Sequence, residues 1–333
     1  MSDVSGIEIK DVLGLSGPLT KLIETISNGV GKLYEPTHIK RLAKAKASEV
    51  HLLSESIVEA DLLPIKYDEG AILIDGTDFT EMAKRAESRL AFQELKKQNN
   101  IDCVVGYAAQ SLSSVEQVSD DPVDVDWITR FFDSVADVSS QEMQIIWGRI
   151  LAGEVNQPGS FSLRTLEIVK NLSKSDAELF TKVATLVVTS ESEKLICSDS
   201  EILNKYGISY TNLMHLDECG LINSSGTLSY NPIVTKENKY FFYSTERIAF
   251  FTDLSDDEIK MSFGVHTLTS AGRELLSIVE SKPSNDYFLD YVKKIESNYK
   301  GKIKAAVHIV NEIIDKNINY KIEPLHNINS TAE

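Results

Sequence analysis

Residues 127–172 constrain the fold more than any other stretch, because helical periodicity, capping residues and a fixed loop agree over more than forty consecutive positions. Met143, Ile146, Trp147, Ile150 and Leu151 recur at three- and four-residue spacing, which places them on one helix face. Gly153 is expected to end that helix, since glycine tolerates the left-handed backbone that helix C-termini use. Pro158 and Gly159 then mark a turn, and Ser160 or Ser162 caps the following helix, whose stripe is Leu163, Leu166, Val169 and Leu172. Ser173 followed by Asp176 has the spacing of a cap on a third helix. Three helices joined by short loops pack as a bundle, so this block specifies a helical module. Its charged residues Arg149, Glu154 and Arg164 are expected to pin the loop by a buried arginine–carboxylate bridge, with no base or nucleophile beside them.

The second informative segment is residues 13–34. Leu19, Leu22, Ile23, Ile26, Val30, Leu33 and Tyr34 form one apolar stripe, opposite Lys21, Glu24, Thr25, Asn28 and Lys32. Burying seven such side chains is worth roughly 10–20 kcal/mol before conformational entropy is subtracted. Three surfaces could cover the stripe: the protein's own helices, another subunit, or a membrane. For the last, Lys40, Arg41 and Lys44 belong to a run without an acid until Glu49, a composition that suits anionic lipid headgroups. The NGVGKL string within this segment is no P-loop, because Ile26 stands where that motif needs glycine and Leu33 where it needs Ser or Thr.

A long helix is predicted from Pro36 to about Leu63, and another from about Asp78 to Leu112, separated by a punctuated connection that has room for a short strand. The polar middle of the second, RLAFQELKKQNN, reads as an assembly surface or a solvated helix. Residues 113–126 are rich in Ser and Asp and read as a linker; Asp120, Asp121, Asp124 and Asp126 lack the glycine and terminal glutamate of a calcium loop. Beyond Ser190, two short helices around Gly207, then β-branched and aromatic runs closing on a helix at Thr269, resemble a winged helix. Its second helix, YTNLMHLDECG, carries no Lys or Arg, so DNA reading is not expected there. The tail from about Asn285 to Tyr320 is expected to be helical again, with Ile303, Val307, Val310 and Ile314 on one stripe. The fold class that follows is mainly α, divided at 1–118 (amphipathic and long assembly helices), 119–189 (central bundle), 190–282 (winged-helix-like α+β module) and 283–333 (C-terminal helices and tail).

Composition bounds the function. A net charge of −16, from 50 acidic against 34 basic residues, disfavours general nucleic-acid binding, which needs clustered cations to neutralise phosphates. Cys103, Cys197 and Cys219 are odd in number and contain no CxxC pair, which argues against a disulfide framework or a zinc site and for a reducing cytoplasm. No signal-peptide pattern opens the chain, and no apolar run reaches the ~20 residues of a membrane span. The six histidines form no HExxH or HxH pattern. Glu258 and Lys260 behind Asp253 are the nearest thing to a nuclease set, and Cys219 reads as a half-buried helix residue. No catalytic, cofactor or metal residue is predicted.

Taken together, LGLSGPLTKLIE, QNN followed by Ile101, DWITRFF and MQIIWGRILAGEVNQPGSFSLRTLEIVKNLS resemble bacterial proteins known as a domain of unknown function, related to abortive-infection-type proteins. The resemblance spans residues 13 to about 180. It implies a cytoplasmic, mostly helical protein associated with phage defence and brings no catalytic residues with it. The expected function is a non-enzymatic antiphage protein that acts through a protein partner or a homo-oligomer, with the Leu13–Tyr34 segment acting on a membrane or partner at the inner face of the cell envelope. A defence nuclease assembled from distant residues and a winged-helix regulatory scaffold are the alternatives.

Overall fold

The computed structural model describes residues 17–30, 65–68, 71–74, 79–224, 228–254, 258–299, 301–314 and 317–327. The predicted helix from Pro36 to Leu63, and with it Leu33, Lys40, Arg41 and Lys44, lies outside them. The chain divides into two compact units, Met1–Leu166 and Glu167–Glu333.

Unit 1 is built around helices. After α1 (Gly17–Val30) come a two-stranded antiparallel hairpin, β1 (Ile65–Asp68) with β2 (Ala71–Ile74), then α2 (Phe79–Leu112), α3 (Val125–Val135) and α4 (Gln141–Asn156). The helix starts follow from short polar side chains that take up otherwise orphaned N–H groups. The Asp124 carboxylate accepts from the Trp127 N–H at 2.8 Å, so one member of the acidic run is spent on capping α3. Ser140 caps α4 in the same way. The core is aromatic: Phe131 stacks on Trp127 at 5.1 Å and meets Trp147 edge-on at 5.4 Å.

α4 runs three residues past Gly153, to Asn156, which corrects the expected stop. Gly153 keeps helical backbone, and its missing side chain makes room for the Phe161 ring, which would sit 2.6 Å from a Cβ. The left-handed residue is Gly159, at φ 86°. Gly148 serves α2 similarly: a Cβ there would lie 2.5 Å from Tyr107 Cβ and 3.0 Å from the Val104 carbonyl oxygen.

The boundary between the units falls within α5 (Leu163–Asn171), whose first turn is capped by Ser162. Unit 2 continues with α6 (Lys174–Ala184), β3 (Val188–Ser190), β4 (Glu193–Cys197), α7 (Ser200–Lys205), α8 (Tyr210–Glu218), β5 (Ile222–Asn223), β6 (Ser229–Tyr230), β7 (Ile233–Val234), β8 (Tyr240–Tyr243), β9 (Arg247–Asp253), β10 (Ile259–Lys260), β11 (Phe263–Leu268), α9 (Ser270–Leu276), α10 (Asn285–Asn298), β12 (Ile303–Ile314), β13 (Asn317–Tyr320) and β14 (His326–Asn327). A ten-stranded antiparallel sheet dominates it, in the order β13-β12-β9-β8-β3-β4-β11-β5, with β14 also on β12 and β6 on β11. β7 and β10 form a separate pair.

This sheet overturns the mainly-α expectation: the fold is α+β. The clearest single correction is residues 303–314. Ile303, Val307, Val310 and Ile314 are spaced as on a helix, yet Ile303, Ala305 and Val307 alternate with half-exposed neighbours and pair with Asp253, Phe251 and Ala249 of β9. Period-two burial and β-branched side chains decide in favour of a strand once a partner strand is available. α10 covers this face of the sheet, with Tyr287, Phe288, Tyr291, Val292 and Ile295 buried, and Phe242 packing on both Phe288 and Tyr291. Tyr287 Oη accepts the Cys197 N–H at 2.9 Å, and burial pushes the Cys197 thiol up to about 12, leaving it inert.

Candidate functional site

The loop residues singled out in the sequence converge on the Glu154 carboxylate. Glu154 is buried, and its carboxylate accepts two backbone N–H groups, from Gly159 at 2.6 Å through Oε1 and from Phe161 at 3.0 Å through Oε2. Trp127 Nε1 donates to the Phe161 carbonyl at 2.7 Å. The turn at Pro158–Gly159 is thereby held on both sides, by a carboxylate from α4 and an indole from α3. Trp147 is fully buried behind it, Arg149 is half-buried, and Arg164 is exposed on α5. This is an architectural device and brings no nucleophile or base to a cavity.

A second polar network was not foreseen. Asn100 is 2% exposed, donates to the Ala136 carbonyl at 2.7 Å, and accepts from Gln144 Nε2, which also donates to the Val138 carbonyl at 2.9 Å. It ties α2 to the α3–α4 turn and accounts physically for the last residue of the QNN string.

On α1, Leu22 and Ile26 are buried at 2% and 0%, Leu19 and Ile23 are half-buried, and the helix lies against α3 and α4. Gly29 lets the two helices close up, since a Cβ there would meet Ile128 and Phe132 side-chain atoms at 2.9 Å. Val30 ends the helix. No helix among the described residues is long and apolar enough to cross a membrane.

The α2 helix behaves differently along its length. From Asn100 onward it is packed, whereas every residue from Glu87 to Lys96 is exposed, including Leu90 at 54%, Phe92 at 52% and Leu95 at 44%. Nearly three turns of helix thus present Leu90, Phe92 and Leu95 to solvent among the described residues, while Gln93 and Lys96 border a cavity that Ala136 and Asp137 also line.

The nuclease-like set does not assemble in one strand pair. Asp253 is buried at the end of β9 in the large sheet, while Glu258 precedes β10 and Lys260 lies within it, both exposed beside the small β7–β10 pair.

What unit 2 does bring together is Asp176, His215 and Cys219, each of which offers one potential ligand atom within 4.8 Å of the other two. Asp176 stands at the third position of α6, where its Oδ2 accepts from the N–H and hydroxyl of Ser173 at 2.7 Å each, closing a capping box. That leaves Oδ1 to meet His215 Nε2 at 2.6 Å. His215 and Cys219 are four residues apart at the end of α8, hence on one face, with Sγ 3.8 Å from the same Nε2. Burial works to raise the Asp176 carboxyl, but hydrogen bonds from His215 and Ser173 outweigh it and hold the group below its usual range. The Cys219 thiol is pushed up by burial and by the charges of Asp176 and Glu218. A cysteine nucleophile needs the opposite shift, and a relay needs the carboxylate and thiol on different ring nitrogens, so this is no catalytic triad. The Asp–His spacing and the i,i+4 His–Cys pair are a convergent oxygen, nitrogen and sulfur donor set.

With the architecture in view, the chain is an α+β protein of two units whose described residues include a donor cluster and an exposed stretch of helix. It belongs to the family described as protein of unknown function (DUF2806), whose model matches residues 84–292, well over half of the chain. No curated protein and no solved structure matches it.

Proposed function

We propose that this chain is a non-enzymatic assembly protein that pairs with a second copy through the arm of α2. The observation that carries the reading is that every residue of Glu87–Lys96 is exposed, with the large apolar side chains of Leu90, Phe92 and Leu95 among them. A helix segment so exposed gains little from burial, and isolated helical turns are marginal in water. A partner supplies the missing burial.

The apolar face of the arm suits a second copy in antiparallel register. Phe92 and Leu95, three residues apart, share one face of the arm, and a two-fold axis near Phe92 brings the two Phe92 rings to the centre. Closed two-fold pairing satisfies both partners with one surface. The role of α1 in this reading is internal, since Leu22 and Ile26 already pack within unit 1.

The setting we infer is phage defence, which rests on the resemblance to abortive-infection-type proteins carried by the LGLSGPLTKLIE and WGRILAGEVNQPG strings. Light scattering on the full chain tests assembly. A dimer is expected that Phe92→Gln with Leu95→Gln converts to monomer with unchanged circular dichroism. A monomeric wild-type protein at tens of micromolar would overturn the pairing. Plaque counts on a bacterial host expressing the chain test the setting: protection that the monomeric variant loses is expected, and no protection against a broad phage panel would remove the defence role.

A further inference from the structure

We propose that Asp176, His215 and Cys219 form a three-ligand site for a zinc-class divalent cation, which ties the start of α6 to the end of α8. The argument is one of donor chemistry and geometry. A carboxylate oxygen, an imidazole nitrogen and a thiolate sulfur are each standard zinc ligands, at about 2.0–2.3 Å from the ion, so tetrahedral placement separates neighbouring donors by about 3.4–3.6 Å. The Nε2 to Sγ distance of 3.8 Å is near that value. The Nε2 to Oδ1 distance is 2.6 Å, a direct hydrogen bond that opens by less than about 1 Å when an ion displaces the shared proton.

Two features go beyond proximity. The Asp176 carboxylate is already oriented: Ser173 holds Oδ2 by two 2.7 Å bonds, leaving Oδ1 turned toward the helix opposite, which is how supporting hydrogen bonds aim a ligand at a metal. The cluster is also reachable, with Asp176 and Cys219 half-buried and His215 exposed on one side, so an ion can enter and a fourth position stays open to water or a further donor. The mixed oxygen, nitrogen and sulfur set selects against magnesium and calcium, which take oxygen ligands.

Binding exchanges protons for the cation. The Cys219 Sγ–H proton leaves to solvent, the proton on His215 Nε2 gives way to the Nδ1–H tautomer so that Nε2 can ligate, no electron moves, and affinity therefore falls as pH falls. Neither the assembly reading nor the family match bears on this site.

The test uses the full chain, reduced, freed of any polyhistidine tag and stripped with chelator, and titrated with Co²⁺ as a coloured substitute for Zn²⁺. One equivalent is expected to bind with a near-ultraviolet thiolate-to-cobalt charge-transfer band, displaced by Zn²⁺. Cys219→Ser should abolish the band while retaining the wild-type circular dichroism, and Asp176→Asn should weaken binding at least tenfold. Cys103 and Cys197 remain in every variant and serve as internal controls. A band that survives Cys219→Ser would place the metal elsewhere, and the absence of saturable binding by folded wild type would overturn the proposal.

Discussion

Glu154 shows how much one side chain can carry here. Its two carboxylate oxygens serve two backbone N–H groups in a buried turn, and a hydrogen bond to a charged group is worth about 1.5–3 kcal/mol. Glu154→Gln keeps the shape but turns an NH₂ toward one of those N–H donors. We expect a loss of about 2–3 kcal/mol in urea unfolding. Arg164→Ala, three residues past the pinned Phe161 but exposed, should stay within about 0.5 kcal/mol. Equal effects would mean that the loop is held by charge pairing instead. A second residue-scale expectation concerns His266, which is 4% exposed on β11. Burial lowers its pKa, with Asp217 pulling the other way. The unfolded chain therefore takes up the proton first, so stability is complete above the unfolded value of about 6.5 and declines as pH drops through the folded value. The urea midpoint of the wild-type protein should fall between pH 7.5 and 5.5, and His266→Leu should flatten that slope. A slope that persists unchanged in the variant would assign it to other groups.

At the level of elements, close helix packing sets the tolerance for added atoms. Gly148 brings α4 against the backbone of α2, and a Cβ would press on Tyr107 Cβ and the Val104 carbonyl. Alanine gains up to about 1 kcal/mol of helix propensity over glycine, whereas overpacking costs about 1–3 kcal/mol, so Gly148→Ala should destabilise unit 1 by thermal melting. A raised melting temperature would show that α2 can yield. The same scale explains what was readable beforehand. α4 to α6 were legible because apolar spacing, the Ser162 and Ser173 caps, and the Pro158–Gly159 turn all pointed one way. Gly153 misled because glycine marks both helix ends and close contacts, and only the position of Phe161 distinguishes them. β12 was read as helix because apolar residues three and four apart satisfy one period while Ile303, Ala305 and Val307 satisfy the other, and the choice was made by β9, some fifty residues earlier. The donor cluster was half visible: His215 and Cys219 sit four apart on a predicted helix, but Asp176 is far off in sequence and looked fully explained as a cap. Its second oxygen is what no local pattern reveals.

On the scale of the whole chain, the two proposals fall in different units: the arm lies in unit 1 and the donor cluster in unit 2. Each unit has its own core, aromatic and helical in one, sheet and α10 in the other. Substitutions that share no partner act additively to within about 0.3–0.5 kcal/mol, so damage to one site should leave the other intact. Phe92→Gln with Leu95→Gln should abolish the dimer and leave the cobalt band unaltered, while Cys219→Ser should abolish the band and leave the mass unaltered. A ligand bound only by the folded state stabilises it by mass action, so Zn²⁺ should raise the melting of wild-type protein and of the arm variant alike, and leave Cys219→Ser where it was. If Cys219→Ser also lowered the mass, the cation would be part of the assembly, and the two units would have to be treated as one functional device.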